Sequence, residues 1–164
     1  IREKENLVDS LIPELAKLSK QTEQPLVVEV FSGVEGFKTI MNDILVEKKP
    51  YYILGYTGKG TQIAPFWYHH WNKRRVKQEI KRFLLIYEGN KSLEALRYPL
   101  SNIKILPTTA EKSPLTSTII YDTDKVVIFL PLQEFTAIRI KNKETHASYK
   151  LYFDLLWKTA KQPL

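Results

Sequence analysis

The chain has no cysteine among its 164 residues. This absence excludes disulfide bonds and metal sites built on thiolates. No stretch approaches the ~20 consecutive apolar residues of a membrane-spanning helix, and there is no signal-peptide pattern. Nothing in the sequence indicates secretion or a membrane partner, so the expected location is cytoplasmic. The sequence also predicts no cofactor and no metal ion.

The composition predicts one globular domain. The apolar share is 43%, which suffices for a full core at this length. The net charge of +7 is weak support for nucleic-acid binding unless the cations cluster on one surface. Because the chain begins at Ile1 rather than at Met, we expect it to be a piece of a longer protein.

Residues 1–20 predict a helix with an apolar seam. Four leucines recur at spacings of four, four and three: Leu7, Leu11, Leu15 and Leu18. Two interpretations are open, packing of the seam on its own domain and a contact in a dimer. An interior proline costs a helix ~3 kcal/mol, so Pro13 predicts a kink or two short helices.

The body of the chain alternates between predicted strands and helices. The strands expected up to residue 106 span 26–31, 51–55, 82–87 and 103–106. Ser32 and Glu35 have the spacing of a capping box at the start of the first helix after them. A helix is predicted over about 63–80, with Phe66 and Trp71 among its candidate buried residues.

The last part of the chain predicts a hairpin, a strand and a closing helix. Two apolar segments flank Asp122 and Asp124, which are typical turn residues. Asn142 is the expected N-cap of the last helix. The apolar spacing on that helix predicts that one set of side chains packs on the sheet: Leu151, Tyr152, Leu155 and Thr159. The whole order of elements predicts a three-layer α/β domain with a mixed sheet.

A glycine-rich loop at 55–60 follows the second predicted strand. It is not a complete phosphate-binding motif, because the Gly-x-x-x-x-Gly-Lys-Ser/Thr spacing is absent. Ligands of open α/β sheets bind beyond the carboxyl ends of strands, so we expect a pocket here for an anionic or polyhydroxyl ligand. The residues predicted to line it are Tyr56, Thr57, Lys59, Arg74 and Lys125. The alternative is that the glycines serve only a turn.

A basic segment at 73–82 allows three interpretations. Lys73, Lys77 and Lys81 recur at intervals of four, which is typical of a solvated helix face. Alternatively, one or two of the arginines in this segment turn inward to meet an anion. Direct DNA binding would require the cations to form one exposed stripe.

Several short motifs resemble the C-terminal domain of TrmB-type archaeal transcriptional regulators. They are the segment at 28–37, the hairpin around Asp124 and Lys125, and the segment at 153–157. The resemblance implies a phospholipase D-like three-layer α/β fold with an N-terminal helical extension. It divides the chain into a connecting helix at 1–24 and a sensor domain at 25–164.

The resemblance also implies a function and partners. The chain would be the effector-sensing and dimerisation domain of a transcriptional regulator, with self-association through the four leucines. DNA would be bound by an upstream winged-helix domain, and the effector would be an unidentified small molecule.

The phospholipase D resemblance also allows a comparison with active enzymes. Active members carry His-x-Lys followed after four residues by Asp, with histidine as the nucleophile. When Lys125 takes the lysine position, Thr123 stands where histidine is expected and Leu130 where aspartate is expected. We therefore predict that the chain is not an enzyme. The alternative function is a degenerate phospholipase D-type phosphodiesterase or nuclease.

Overall fold

The computed structural model describes residues 2–22, 25–90, 93–108 and 114–163. The helices are α1 (Arg2–Thr22), α2 (Gly33–Glu47), α3 (Gly60–Ile63), α4 (Pro65–Lys77) and α5 (Lys143–Thr159), with a 3₁₀ helix at Leu93–Arg97. The strands are β1 (Val27–Ser32), β2 (Tyr51–Leu54), β3 (Arg82–Tyr87), β4 (Ser101–Leu106), β5 (Ser117–Tyr121), β6 (Lys125–Leu130) and β7 (Thr136–Lys141).

All seven strands form one mixed sheet in the order β1-β7-β6-β5-β2-β3-β4. β2, β3 and β4 run parallel, whereas β5, β6, β7 and β1 join by antiparallel pairing. Helices lie on both faces, which confirms the predicted three-layer α/β fold. Among the described residues, no helix is long and apolar enough to cross a bilayer.

The first face of the sheet is covered by α2 and α4. Their apolar side chains, including Phe37, Ile40 and Trp71, pack with Leu84 and Val127 from the strands. The predicted capping box does not form, because the Ser32 side chain makes no cap hydrogen bond. Ser32 occupies the N-cap position with extended backbone and is also paired with Thr136 at the end of β1.

The helix expected over 63–80 is interrupted and shorter. A four-residue α3 precedes Pro65, which starts α4 as its first residue, and α4 ends at Lys77. Phe66 was expected to be buried but lies on the outside with 85% of its surface exposed. Tyr68 occupies the buried position instead.

The second face is covered by α5, but not through the predicted stripe. Asn142 caps the helix as expected, accepting a hydrogen bond from the Thr145 amide at 2.8 Å. The side chains that pack on the sheet are Tyr149, Phe153, Leu156 and Trp157. Leu151, Tyr152 and Leu155 are instead more than half exposed, so the predicted packing face was wrong.

The side chains of α1 are exposed at residues 2–15 and at residue 17. It is one helix with Pro13 inside it, so of the two expected outcomes, a kink or two short helices, the second does not occur. Leu7, Leu11 and Leu15 are 62%, 45% and 61% exposed, so they do not pack on their own domain. The side chain of Leu18 lies outside the described part of the chain. The dimer contact therefore stays a prediction.

Replacing Phe153 tests the observed orientation of α5. Phe153→Ala removes a buried ring and should lower the free energy of unfolding by about 3–5 kcal/mol. Leu151→Ala on the outer side of the same helix should change it by no more than about 0.5 kcal/mol. Urea unfolding of both variants measures the difference. Equal losses would contradict the assignment of the sheet-facing side.

Candidate functional site

The glycine loop after β2 forms a tight turn. Gly55 has φ +76°, and a Cβ there would lie 2.9 Å from the Thr116 carbonyl oxygen and 3.1 Å from the Tyr87 ring. Only glycine fits this close approach without strain. Tyr56 turns inward and is 5% exposed, with its hydroxyl 3.3 Å from that of Tyr68. Close packing at this turn is therefore sufficient to explain why residue 55 is a glycine.

The five residues predicted to line one pocket are not brought together. Thr57 and Lys59 lie on the loop, half-buried and exposed respectively, and Arg74 is exposed in the second half of α4. Lys125 lies at the opposite end of the sheet. Ile120 pairs with Tyr52 near the start of β2, and the next residue, Tyr121, pairs with Lys125. The glycine loop, in contrast, follows the end of β2. Ligand binding by the loop stays a prediction.

Lys125 is held by carboxylates. Its Nζ lies 3.0 Å from Asp43 Oδ2 and 2.9 Å from Glu47 Oε1, both on α2, and 3.7 Å from Asp122 Oδ2 in the hairpin turn. Its side chain is only 11% exposed. Lys125 therefore joins α2 to the β5–β6 hairpin.

Asp43 is the centre of this network. Besides Lys125, its Oδ2 accepts hydrogen bonds from the Tyr121 hydroxyl at 2.7 Å and from the Arg139 guanidinium at 3.2 Å. Arg139 also donates to Glu29 on β1 at 2.8 Å. One carboxylate thus connects α2 with β5, β6 and β7, and Arg139 extends the connection to β1.

The charges of the network set the protonation of Asp43. Burial alone would raise the pKa of this carboxyl, but hydrogen bonds from Tyr121 and Lys125 and the charges of Lys125 and Arg139 outweigh it. The pKa of Asp43 is therefore lower than its ordinary value of 3.8. Asp43 stays ionised at neutral pH, which keeps the network charged.

Two arginines of the basic segment turn inward, as one interpretation predicted, but the hydrogen bonds that hold them run to carbonyl and hydroxyl oxygens rather than to an anion. Arg75 is fully buried and donates to the backbone carbonyls of Ile80 at 2.7 Å and Pro99 at 2.9 Å. Arg82 donates to Ser101 Oγ at 2.7 Å, and the ring of Tyr56 lies 5.6 Å from its guanidinium carbon. Arg75 follows Trp71 by four residues on the buried side of α4, and this spacing was the signal available in the sequence.

The remaining cations do not continue as one helical stripe. Lys73, Arg74 and Lys77 are exposed on α4, but the helix ends at Lys77. Glu79 then has φ +58°, which breaks the periodicity before Lys81. Among the residues that the structure describes, no three His, Asp or Glu side chains are placed to hold a metal ion.

Comparison with known proteins identifies the fold. No family profile matches the chain, and no curated protein matches it either. Among solved structures, Nuc from Salmonella typhimurium, a phospholipase D family member, has a TM-score of 0.61 at 16% identity and covers 85% of this chain and 99% of its own. NucT from Helicobacter pylori has a TM-score of 0.57 at 13% identity and covers 85% and 100%. The chain has a phospholipase D-like fold.

A third solved structure extends over α1 as well. TrmBL2, an archaeal chromatin protein whose structure shows a novel mode of DNA binding, has a TM-score of 0.54 at 16% identity. The match covers 99% of this chain, which spans 65% of the TrmBL2 chain.

The similarity to Nuc and NucT contradicts the prediction that the chain is not an enzyme. Its fold is the one found in a phospholipase D family member. The prediction rested on the missing His-x-Lys pair, and none of His69, His70 and His146 is followed by lysine two residues on. That absence concerns one catalytic motif and not enzymatic function in general.

Replacing Lys125 tests its structural role. Lys125→Met leaves Asp43 and Glu47 without their shared cation, so the free energy of unfolding should fall by about 2–4 kcal/mol. Lys77→Met, at an exposed lysine of α4, should change it by no more than about 0.5 kcal/mol. Denaturant unfolding of both variants measures this. An unchanged stability of Lys125→Met would show that the network does not hold the fold.

The lowered pKa of Asp43 predicts acid sensitivity. The unfolded carboxyl binds a proton at higher pH than the folded one, so the stabilisation is complete above about pH 4 and is lost as the pH falls through the folded pKa. Asp43→Asn should be about 1–3 kcal/mol less stable at pH 6 and should lose less further stability between pH 6 and pH 3 than the wild type. Urea unfolding at both pH values measures this.

The matched control for acid sensitivity is Asp154→Asn, at the exposed carboxylate that pairs with Lys150 on α5. It should keep wild-type stability within about 0.5 kcal/mol at pH 6. If Asp43→Asn loses as much stability on acidification as the wild type does, Asp43 is not part of the acid response.

Proposed function

We propose that this chain is the effector-sensing and dimerisation domain of a TrmB-type transcriptional regulator. DNA would be bound by a winged-helix domain upstream of Ile1. The observation that carries the proposal is α1, a 21-residue helix with an exposed leucine seam. Such a helix is marginal alone in water, and an exposed apolar seam indicates a partner.

The extent of the structural matches supports this proposal. Nuc and NucT match 85% of the chain, which leaves out about 25 of 164 residues, roughly the number before Pro25. TrmBL2 matches 99%, and its chain is longer than this one. TrmBL2 is an archaeal chromatin protein that shows a novel mode of DNA binding. A connecting helix at 1–24 and a sensor domain at 25–164 agree with this pattern.

The dimer can be tested by changing the seam. Leu11→Glu alters an exposed side chain, so it should leave the fold intact and move the molecular mass from dimer to monomer. Val46→Glu, at a 73% exposed valine of α2, is the matched control and should stay dimeric. Light scattering at high micromolar concentration measures the mass. A monomeric wild type would contradict the proposal, as would a dimeric Leu11→Glu.

The effector would bind at the loop after β2. Thr57 and Lys59 offer a hydroxyl and an ammonium group there, which suits an anionic or polyhydroxyl ligand. A thermal-shift screen of sugars and phosphorylated metabolites should find a ligand that adds ~2.7 kcal/mol at 100 times its dissociation constant. The shift should shrink in Thr57→Val and Lys59→Met but persist in Lys125→Met. Full persistence in the loop variants would place the ligand elsewhere.

Phosphodiester hydrolysis is a second candidate, favoured by the fold shared with Nuc and NucT. A histidine nucleophile would have to be His69, His70 or His146. His146 is half-buried, and burial lowers its pKa despite the nearby Asp124 and Asp122, so it is neutral and available as a base at pH 7.

Hydrolysis of bis(p-nitrophenyl) phosphate and of DNA tests this second candidate. Three single variants, His69→Ala, His70→Ala and His146→Ala, are compared with the wild type. Loss of turnover in one variant that keeps its fold supports a histidine mechanism. Equal turnover in all three would exclude that mechanism, and no turnover by the wild type would exclude the candidate.

A further inference from the structure

The second face of the sheet is only partly covered. Among the described helices, α2, α3 and α4 contribute to the first face, whereas α5 is the one that packs on the second. α5 starts beside the hairpin turn, where the Asn142 amide donates to the Asp124 carbonyl, and ends beside β4, where Lys161 pairs with Ile105. It therefore runs from β7 and β6 across the sheet to β4, and the strand side chains clustered with it come from β2, β3, β4 and β5. β1 lies beyond β7 at the edge of the sheet.

The strands that α5 leaves open carry apolar side chains on this face. Ile140 of β7 pairs with Val28 on one side and with Val126 on the other. Val126 in turn pairs with Ile120, which packs against α5. This row therefore lies on the second face. The next row on the same face contains Val30, Ile138 and Ile128. Exposure decreases along these rows. Val28 and Val30 at the edge are 57% and 69% exposed, Ile138, Ile140 and Ile128 are half-buried, and Val126 is fully buried.

Tyr152 of α5 borders these strands. On the other side of the helix, Lys150 Nζ lies 4.2 Å from the Tyr52 ring, so that side faces β2. At 100° per residue, Tyr152 projects from the opposite side, whereas Leu155 points away from the sheet because it lies about 200° from Phe153. Tyr152 forms one wall of an apolar groove, and its floor consists of Val28, Val30, Ile138, Ile140 and Ile128. We call this surface the β1 groove.

The groove matches α1 in chemistry and size. Five apolar side chains share one stripe of α1: Leu7, Val8, Leu11, Ile12 and Leu15. From Leu7 to Leu15 the stripe is ~12 Å long, and six-residue β1 is ~20 Å long. In the described part of the chain, one of these exposed apolar surfaces is a convex helix and the other is an open part of the sheet.

We propose that α1 of a second copy of this chain lies in the β1 groove, and that the two copies exchange these helices about a twofold axis. The inference specifies how the dimer of the proposed function is built. Each exposed side chain of this kind presents on the order of 100 Å². The five of the α1 stripe, with Val28, Val30 and Tyr152, would therefore bury roughly 1,600 Å² in the two copies together. A stable complex typically buries about 1,600 Å². The exchange is closed, because each copy gives one helix and receives one.

Crosslinking tests the exchange, and the absence of cysteine makes engineered thiols unambiguous. The single variants Leu11→Cys and Val30→Cys are mixed, with one of them isotopically labelled, and treated with a short bis-maleimide. Since each copy carries one thiol, any product links two copies. The expected main product joins Leu11→Cys to Val30→Cys. Leu11→Cys with Val46→Cys, on the first face, is the matched control and should give several-fold less.

The products separate the possible failures. A yield with Val30→Cys no higher than with Val46→Cys overturns the exchange. Products that join only two Leu11→Cys copies also overturn it, because α1 then pairs with α1, although the dimer of the proposed function stands. A monomeric wild type in light scattering defeats both.

A charge in the groove provides an independent measurement. Val30→Asp places a carboxylate on a side chain that is exposed in the single copy, so the fold should persist. It should weaken dimerisation at least tenfold in sedimentation equilibrium, while Val46→Asp should not. Equal dimer dissociation constants in the two variants would overturn the proposal.

Discussion

The structure depends on one constraint: a seven-stranded sheet has two apolar faces, and both need to be covered. On the first face, α2 and α4 bury Phe37 and Trp71, and Asp43 fixes α2 against β5, β6 and β7. On the second face, α5 packs on β2 to β5, and Val28 and Val30 of β1 stay exposed. The apolar residues of β1 and the exposed seam of α1 are both explained if the uncovered half of this face is an interface.

Local patterns in the sequence predicted most of the elements, because apolar periodicity and turn residues are properties of short segments. The predictions that failed needed nonlocal information. α5 carries two apolar stripes, and only the packed sheet shows that Phe153 faces inward and Leu155 does not. The pocket was divided because β5 pairs antiparallel with β2, which puts Lys125 at the end opposite Tyr56. The inward turn of Arg75 was among the alternatives, but one of its carbonyl partners, Pro99, is distant in the sequence.

The phospholipase D-like fold alone does not choose between a sensor and a hydrolase. Lys125 is the residue set at the position of the catalytic lysine in the phospholipase D comparison. In the structure it has a structural role, because it holds α2 through Asp43 and Glu47. Nuc and NucT each match 85% of this chain, whereas TrmBL2 matches 99% of it. A sheet face that is completed by a partner's helix would make folding of the interface and dimerisation one event, with α1 ordered by the copy that receives it.

Hydrogen–deuterium exchange as a function of protein concentration tests this account most directly. An isolated exposed helix of this length exchanges its amides rapidly, whereas a helix packed in a groove is protected. As concentration rises through the dimer dissociation constant, protection should increase together in α1 and β1 and on the Tyr152 side of α5, with no change in α2. Protection of α1 that does not depend on concentration, or that rises without any change in β1, would contradict the account.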